Sequence, residues 1–357
     1  MSSKQIKKFA RGLRAAPRLL RLAADKPPRP LHMHLEHTTR CDDRCSTCIR
    51  SQHIGPEIDM SVEDARRYID DIRPSFLTLN GIGEPLLHPH WDDIARHAIT
   101  THGASVGMAT TGTLLVENAE RLAHSGVGLL KVSFHGGRAE TFARLASGRS
   151  MPLVIKGLES LREAISKAGT GPKVRLNYVV TKDNFEELNE TLDIAAECGV
   201  ETVYFKGALL LKGPRGQIRA DQGQQAVVSA YARALERARH LGITTNLKAC
   251  LAATKRQPKA SHKPCIVPWT SLFVRVDGTV LSCCNFTWKP GDGEVGSLND
   301  AGGLDSLWRG EAQSRLRGEM LSGSYSQQAC SECPQPLTLP VLKEATAHKM
   351  WPGFLGT

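Results

Sequence analysis

The chain has 357 residues, 41% of them apolar, which is enough to bury one large core and a smaller one. No apolar run approaches the roughly 20 residues that span a bilayer, and lysine and arginine interrupt every candidate signal sequence, so we predict a cytoplasmic protein. Nine basic residues and one acid in residues 1–30 supply +8 of the net charge of +10, which leaves +2 for the rest. The nearly neutral body gives no sign of a nucleic-acid-binding surface, and we predict no nucleic-acid partner.

The basic N-terminal arm, residues 1–30, has the pattern of an amphipathic helix interrupted at Pro17. A proline-rich stretch, residues 26–30, then predicts a stiff linker. Two roles remain open for the helix. Either it packs on the outside of the body with its charges in solvent, or residues 1–26 contact a membrane surface or an acidic partner.

From residue 31 onward, short apolar runs alternate with helical patterns. A capping box at Ser61 predicts a helix that extends through Ile72, and further helical patterns cover 186–198 and 224–241. Repeated βα units imply a parallel sheet with right-handed crossovers, and six or seven units are too few for a closed eight-stranded barrel. The predicted fold class is therefore α/β, an open partial barrel of the (β/α)6 type over residues 31–247. Its strands are predicted at residues 31–38, 76–80, 105–110, 129–134, 174–181, 202–205 and 243–247.

After the seventh predicted strand, the alternation of strand and helix patterns stops. The sequence there is rich in glycine, proline and cysteine and has only short strand patterns. Two apolar runs, 271–276 and 279–282, flank Asp277-Gly278, a dipeptide typical of hairpin turns. We predict a second, smaller domain over residues 248–336, followed by a tail, residues 337–357.

Ten cysteines in a chain of this kind argue for metal or redox chemistry rather than disulfides. Three of them, Cys41, Cys45 and Cys48, form a C-x3-C-x2-C motif directly after the first predicted strand. Three thiolates so close bind three irons of a 4Fe–4S cluster and leave the fourth iron open to another ligand. A zinc loop is the alternative, because His37 or His53 would supply the fourth ligand that zinc requires.

With this motif the chain resembles the radical S-adenosylmethionine (radical SAM) superfamily over most of residues 31–336. The resemblance implies that Cys41, Cys45 and Cys48 hold the 4Fe–4S cluster to which S-adenosylmethionine binds. It also implies reductive cleavage of that cofactor to a 5′-deoxyadenosyl radical, which abstracts a hydrogen atom from the substrate. An external electron donor such as flavodoxin or ferredoxin would supply the electron.

Gly81, Gly83 and Glu84 belong to a Gly-Ile-Gly-Glu-Pro run that follows the second predicted strand and resembles the Gly-Gly-Glu motif of the superfamily. The resemblance implies that they bind the methionine amino group, because glycine lets a ligand approach the backbone and a carboxylate pairs with an ammonium. Ser133, at the end of the fourth strand, and Asn177, on the fifth, match positions that often face the cofactor. For Asn177 an ordinary polar strand residue is an equal alternative.

Four further cysteines, Cys265, Cys283, Cys330 and Cys333, make a complete four-thiolate set, in which the last two form a chelating turn. Spacing alone allows either a structural zinc ion or an iron–sulfur cluster. The region resembles the SPASM/twitch extension of radical SAM proteins, whose shortened form holds one auxiliary 4Fe–4S cluster. The resemblance therefore implies two 4Fe–4S clusters in all, and the spacing is similar to that of an aminocyclitol dehydrogenase.

Cys284 directly follows one of these predicted ligands, Cys283. If both lie on the second hairpin strand, alternation turns Cys284 away from the cluster and toward the barrel mouth. There a thiol would donate a hydrogen atom to a substrate radical, as in the radical epimerases that this feature resembles. A buried thiol and an alternative cluster ligand are the other interpretations. Cys250 is a second candidate donor, whereas Cys198, late in a predicted helix, is predicted to lie in the core.

The predicted activity is the radical epimerisation or oxidation of a sugar, an aminocyclitol or a nucleotide sugar. A peptide is the alternative substrate, although we expect an arm of this length to be too short for a leader-peptide-binding domain. A structural zinc or iron–sulfur protein is the third alternative, and both Glu84 and the three-thiolate motif argue against it.

Overall fold

The computed structural model describes residues 27–43, 48, 50, 55–146, 149–206, 224–254, 265–284, 293–300, 302–327, 330 and 333. The helix predicted within residues 1–26 and the tail, residues 337–357, lie outside the described residues, and so does Cys45. In the described part of the chain, no helix is both long and apolar enough to cross a membrane.

The described strands form one sheet, and all but the last occur close to the predicted positions. They are β1 (His32–Leu35), β2 (Phe76–Leu79), β3 (Ser105–Thr110), β4 (Leu129–Ser133), β5 (Lys173–Val179), β6 (Thr202–Lys206), β7 (Thr244–Thr245), β8 (Ser271–Val274), β9 (Thr279–Leu281) and β10 (Glu294–Ser297). Their order is β10-β9-β8-β1-β2-β3-β4-β5-β6-β7, with parallel pairing from β8 through β7. The sheet is therefore open and mostly parallel, as the predicted partial barrel requires.

Helices connect most of the parallel strands. They are α1 (Val62–Ile72), α2 (Trp91–His102), α3 (Leu115–His124), α4 (Ala139–Leu145), α5 (Met151–Ala168), α6 (Leu188–Glu197), α7 (Gln224–Leu241), α8 (Leu247–Thr254), α9 (Val267–Thr270), α10 (Gly303–Trp308) and α11 (Glu311–Ser322). The start of α1 confirms the capping box, because the Ser61 hydroxyl accepts a hydrogen bond from the Asp64 amide at 3.0 Å.

The two faces of the sheet differ in polarity because side chains alternate along each strand. The outer face is apolar and joins the buried helix residues in one core, to which the strands contribute Met33, Leu35, Leu77, Leu79, Leu130, Val132, Leu176 and Val203. The opposite face, here called the inner face, is largely polar and includes His32, His34, Thr78, Lys131, Ser133, Arg175, Asn177 and Lys206. A polar inner face suits a polar ligand, whereas the apolar outer face holds the fold together.

The C-terminal region continues the same sheet rather than forming a sheet of its own. Strand β8 pairs in parallel with β1, so that Leu272 lies beside Met33. The predicted hairpin is confirmed, since β8 and β9 are antiparallel and flank the turn at Gly278. Further along, the Tyr68 hydroxyl donates to Asn299 Oδ1 at 2.8 Å, which fastens this region to α1. The βα pattern therefore ends near residue 248 because the later strands, β8 to β10, join the same sheet at its β1 edge.

Candidate active site

The loop after β1 carries the first cysteine motif at the carboxyl end of the parallel strands. Cys41 and Cys48 are half-buried there, and the Arg50 amide donates to Cys48 Sγ at 3.4 Å. Burial raises the pKa of the Cys41 thiol to about 12, and three nearby carboxylates add to the rise. With Cys45 outside the described residues, two of the three predicted ligands can be placed. Thiols are the donors that an iron–sulfur cluster requires, so this donor set fits such a group.

Arg149 connects the cysteine loop to the ends of the next strands. Its guanidinium pairs with Asp43 at 2.8 Å, and the two side chains are only 2% and 10% exposed. One nitrogen of the same group donates to the backbone oxygens of Thr111, at 2.6 Å, and Ser133, at 3.1 Å. Sequence reasoning missed Arg149, because it stands in a short Ser-Gly-Arg-Ser connection that carries no motif.

The two glycines after β2 are required by close packing against β1 and the residues that follow it. A Cβ at Gly81 would lie 2.5 Å from Glu36 Cγ, and one at Gly83 would lie 2.4 Å from the backbone oxygen of Thr38. Glu36 itself is buried, and its Oε1 accepts a hydrogen bond from the Ile82 amide at 2.9 Å. Sequence reasoning missed Glu36, although an acidic residue that directly follows a buried strand was a usable signal.

Glu84 lies in the turn that follows β2, beside the end of β3, and only 2% of its surface is exposed. Its carboxylate accepts hydrogen bonds from the Thr110 hydroxyl at 2.7 Å, the Thr111 amide at 2.6 Å and the Leu86 amide at 3.1 Å. Burial raises its pKa to about 7, and these donors oppose the rise. The side chain thus holds the Gly-Ile-Gly-Glu-Pro turn against the end of β3.

Ser133 and Asn177 lie directly opposite each other on β4 and β5, on the inner face. Asn177 is 7% exposed, and its Oδ1 accepts a hydrogen bond from Arg175 Nε at 2.9 Å. The backbone oxygen of Ser133 accepts from Arg149, which also contacts the cysteine loop. The structure therefore brings these two predicted residues together, and a chain of contacts links them to the loop that carries Cys41.

The second group of cysteines lies against a small apolar cluster that is separate from the main core. Cys265, Cys283 and Cys330 pack on this cluster, whose buried members are Trp269, Phe273, Leu281, Leu316 and Met320. Burial raises the pKa of Cys330 to about 12, and the neighbouring Cys265 and Cys333 add to the rise. The structure thus brings the four predicted ligands into one region, lined by apolar side chains.

The spacing of these four thiols bears on the choice between zinc and an iron–sulfur cluster. Sulfur ligands at about 2.3 Å from a tetrahedral zinc ion lie about 3.8 Å from one another. Among the described residues, the three-residue group with ligand atoms mutually within 4.8 Å is Asp70, His97 and His102, on the outer helices, and it contains no cysteine. Among the described residues, no three of these cysteines therefore have sulfur atoms mutually within 4.8 Å.

The placement of Cys283 and Cys284 corrects one step of the sequence reasoning. Strand β9 ends at Leu281, so both cysteines follow the strand and strict alternation does not apply to them. Cys284 packs on the same small apolar cluster as Cys283, and its electrostatic interaction raises the pKa of Lys131 and of Lys206, against the larger lowering by burial. The bend after the strand, rather than the strand itself, orients this thiol.

The two remaining cysteines of interest are both buried. Cys250, on α8, is 8% exposed, and its Sγ donates to the backbone oxygen of Phe205 at 3.5 Å. Burial raises the pKa of this thiol to about 12. Cys198 is 3% exposed and belongs to the main apolar core, as predicted.

Two family models match this chain. Residues 35–204 match the radical SAM superfamily, and residues 265–334 match SPASM, described as an iron–sulfur cluster-binding domain. The chain belongs to the radical SAM superfamily. A radical SAM domain implies S-adenosylmethionine and a 4Fe–4S cluster, and a SPASM domain implies additional iron–sulfur clusters, which confirms the cofactors expected from the sequence.

Curated relatives share part of their length with this chain. The tungsten-containing aldehyde ferredoxin oxidoreductase cofactor-modifying protein of Pyrococcus furiosus is 30% identical over 190 residues, which cover 50% of this chain and 52% of the relative. The AdoMet-dependent heme synthase of Methanosarcina barkeri is 32% identical over 209 residues, or 56% of this chain and 55% of the relative. The chain thus spans about half the length of the curated relatives it matches.

Solved structures show the same fold at low sequence identity. Streptococcus suis SuiB bound to S-adenosylmethionine has a TM-score of 0.64 and 16% identity, with 92% of this chain and 78% of SuiB covered. Native anSMEcpe with bound AdoMet has a TM-score of 0.61 and 13% identity, with 89% of this chain and 96% of that protein covered. The open, mostly parallel sheet therefore has the same fold as solved structures.

Proposed function

We propose that this chain is a radical SAM enzyme that abstracts a hydrogen atom from a substrate C–H and thereby epimerises or oxidises a sugar, an aminocyclitol or a nucleotide sugar. The observation that carries the proposal is the convergence of the Cys41 loop, Glu84 and the Ser133–Asn177 pair at one end of the sheet, connected by Arg149. The polar inner face beside them supports a polar substrate. In this proposal residues 31–247 form the catalytic core, and residues 248–336 form the auxiliary domain.

Each group of residues has a separate part in the proposed reaction. Cys41, Cys45 and Cys48 hold the catalytic cluster, and Glu84 neutralises the methionine ammonium. When bound, the cluster and S-adenosylmethionine supply one-electron reduction and a 5′-deoxyadenosyl radical. An external donor, a flavodoxin or a ferredoxin, provides the electron. Apolar side chains pack beside the auxiliary cysteines.

Cys284 is the proposed hydrogen-atom donor in the epimerisation route, with Cys250 as the less favoured candidate. Its electrostatic interaction with Lys131 and Lys206 of the inner face supports this role. After donating a hydrogen atom to the substrate radical, the thiyl group returns to the thiol with one electron from the external donor and one proton from solvent. In the oxidation route the substrate radical would instead lose one proton to solvent and one electron to an auxiliary iron–sulfur cluster held by the SPASM region, and Cys284 would not be consumed.

A peptide is the second candidate substrate. It is favoured by the fold neighbours alone, since SuiB has been solved with the precursor peptide SuiA and anSMEcpe with a Cp18Cys peptide. The two substrate classes are separable by reconstituting the protein anaerobically and comparing 5′-deoxyadenosine formation with peptides and with sugar derivatives. Stimulation by peptides alone would contradict the sugar assignment. Contact of residues 1–26 with a membrane or an acidic partner stays a prediction, as does the cytoplasmic location.

Glu84→Gln is expected to weaken S-adenosylmethionine binding by about tenfold to a hundredfold, the equivalent of one charge-assisted hydrogen bond. The variant removes the charge but keeps one oxygen to accept from Thr110 and Leu86. Calorimetry on the reconstituted protein measures the affinity. An unchanged affinity, together with a lower free energy of unfolding, would show that Glu84 only holds the turn against β3.

Iron analysis tests the two cluster sites directly. The anaerobically reconstituted protein is expected to hold about eight irons per chain, because three thiols and four thiols serve two separate 4Fe–4S clusters. Cys330→Ala should lower the content toward about four irons while S-adenosylmethionine cleavage persists. About four irons and one zinc in the unmodified protein would contradict an auxiliary iron–sulfur cluster.

A further inference from the structure

Three side chains of metal-ligand type meet on the outside of the molecule, where α1 and α2 are in contact. Asp70 lies near the end of α1, and both His97 and His102 lie on α2. Each imidazole places its Nε2 atom 2.7 Å from the same carboxylate oxygen, Oδ1 of Asp70. The ligand atoms of the three residues all lie within 4.8 Å of one another. These three residues are here called the His–Asp group.

The donor atoms of the His–Asp group suit a divalent transition metal. Two imidazole nitrogens and one carboxylate oxygen, with a fourth position left for water, satisfy a tetrahedral zinc ion. Ligand atoms about 2.0–2.1 Å from such an ion lie about 3.4 Å apart. The two separations of 2.7 Å therefore need to widen by about 0.7 Å, which side-chain rotation can supply. Mg²⁺ and Ca²⁺ take oxygen ligands and are a poor match for two imidazoles.

The side chains of the group are reachable from solvent, and their rings are already oriented. Asp70 is 49% exposed, whereas His97 and His102 are 19% and 15% exposed. The planes of the two rings are 83° apart, so the rings converge on the carboxylate rather than stack. The other ring nitrogen of His97, Nδ1, lies 3.4 Å from the Thr101 hydroxyl. An imidazole that binds a metal through Nε2 carries its proton on Nδ1 and donates it to an oxygen of this kind.

The position of the group in the fold favours a cation and separates it from the proposed active site. His102 is the last residue of α2, and Asp70 is two residues from the end of α1, where a helix carries partial negative charge. Strand β3 begins at Ser105, shortly after His102, and ends at Thr110, whose hydroxyl donates to Glu84. The length of β3 puts about 17 Å between these two edges of the sheet.

We propose that Asp70, His97 and His102 bind a divalent transition-metal ion, such as zinc, that cross-links α1 and α2. The site is distinct from both groups of cysteines, and it takes no part in the proposed hydrogen abstraction. Its place at the amino edge of the parallel strands, opposite the Cys41 loop, is where residues of such folds serve stability rather than catalysis.

The cross-link would also stabilise contacts of α1 with the C-terminal region. Tyr68 donates to Asn299, and the Asp71 carboxylate accepts a hydrogen bond from the Leu304 amide at 2.7 Å. Both of these α1 residues are within two positions of Asp70 in the sequence. A metal that holds Asp70 against α2 therefore also fixes the part of α1 on which the C-terminal region packs.

Calorimetric titration of Zn²⁺ into the anaerobically reconstituted protein tests this proposal, because iron then occupies the cysteine sites. We expect the His–Asp group to bind one ion per chain. Asp70→Asn removes the charge but keeps an oxygen that accepts from both histidines, and His102→Gln removes one nitrogen ligand. Losing even an outer partner of a metal ligand costs about tenfold in affinity, so each variant should bind zinc at least that much more weakly. His124→Gln, at an exposed histidine in the last turn of α3, is the matched control and should change nothing.

X-ray absorption at the zinc edge identifies the atoms around the bound ion. Nitrogen and oxygen neighbours at about 2.0–2.1 Å would support the proposal, whereas sulfur at about 2.3 Å would place the zinc among the cysteines and overturn it. Absence of zinc binding, or equal binding by Asp70→Asn, His102→Gln and the unmodified protein, would overturn it as well. So would displacement of the zinc by an equal concentration of Mg²⁺. None of these measurements depends on 5′-deoxyadenosine formation, so their outcome is independent of the proposed enzyme activity.

Discussion

Replacing Cys41 by alanine is expected to reduce 5′-deoxyadenosine formation to the uncatalysed background. Cys41, Cys45 and Cys48 provide three ligands for three irons, so the loss of one cannot be made good by another thiol of the motif. Asp43, inside the motif, pairs with Arg149 at 2.8 Å. Chromatographic detection of 5′-deoxyadenosine, with dithionite as the reductant, measures the effect.

Cys198→Ala is the matched control for this loss. The residue is a cysteine of the main core, 3% exposed, and is assigned to neither cluster. We expect a small loss of stability, on the order of 1 kcal/mol, and normal cleavage of S-adenosylmethionine. Undiminished 5′-deoxyadenosine from Cys41→Ala would contradict the assignment of the first cysteine motif.

Cys284→Ser is expected to separate hydrogen abstraction from product formation. The variant should still generate 5′-deoxyadenosine, because Cys284 is not among the proposed cluster ligands. It should form little inverted product, because a hydroxyl O–H is too strong to quench a carbon radical. In deuterated water the unmodified protein should introduce one deuterium at the inverted carbon, because the thiol proton exchanges with solvent. Mass spectrometry of the products, with a panel of nucleotide sugars, measures both effects.

Cys250→Ser is the matched control for Cys284→Ser, because it makes the same cysteine-to-serine change at the less favoured candidate donor. Its thiol already donates to the backbone oxygen of Phe205, and a serine hydroxyl can keep that contact. Normal inversion is therefore expected for Cys250→Ser. If Cys284→Ser turns over normally and the product is oxidised without solvent deuterium, the protein is a dehydrogenase and Cys284 is not a donor.

Local sequence patterns were enough to predict the overall fold and the superfamily. Strand β3 was predicted at the residues where it occurs, the cap at Ser61 formed as expected, and the hairpin turn at Gly278 followed from its dipeptide. These features depend on backbone propensity and on the alternation of apolar residues, which act over a few neighbouring residues. The spacing of the cysteines likewise reflects how closely thiols must lie to share a cluster, and this identified the superfamily.

Only the tertiary structure decided how distant residues meet. The pairing of β8 with β1 places the C-terminal region in the same sheet, and the end of β9 at Leu281 leaves Cys284 to be oriented by a bend. The register of β4 and β5 sets Lys131 opposite Arg175 although 44 residues separate them in the sequence. Strand register is fixed by the packing of the apolar outer face across the whole sheet. The sequence alone does not distinguish a buried lysine from one that is exposed to solvent.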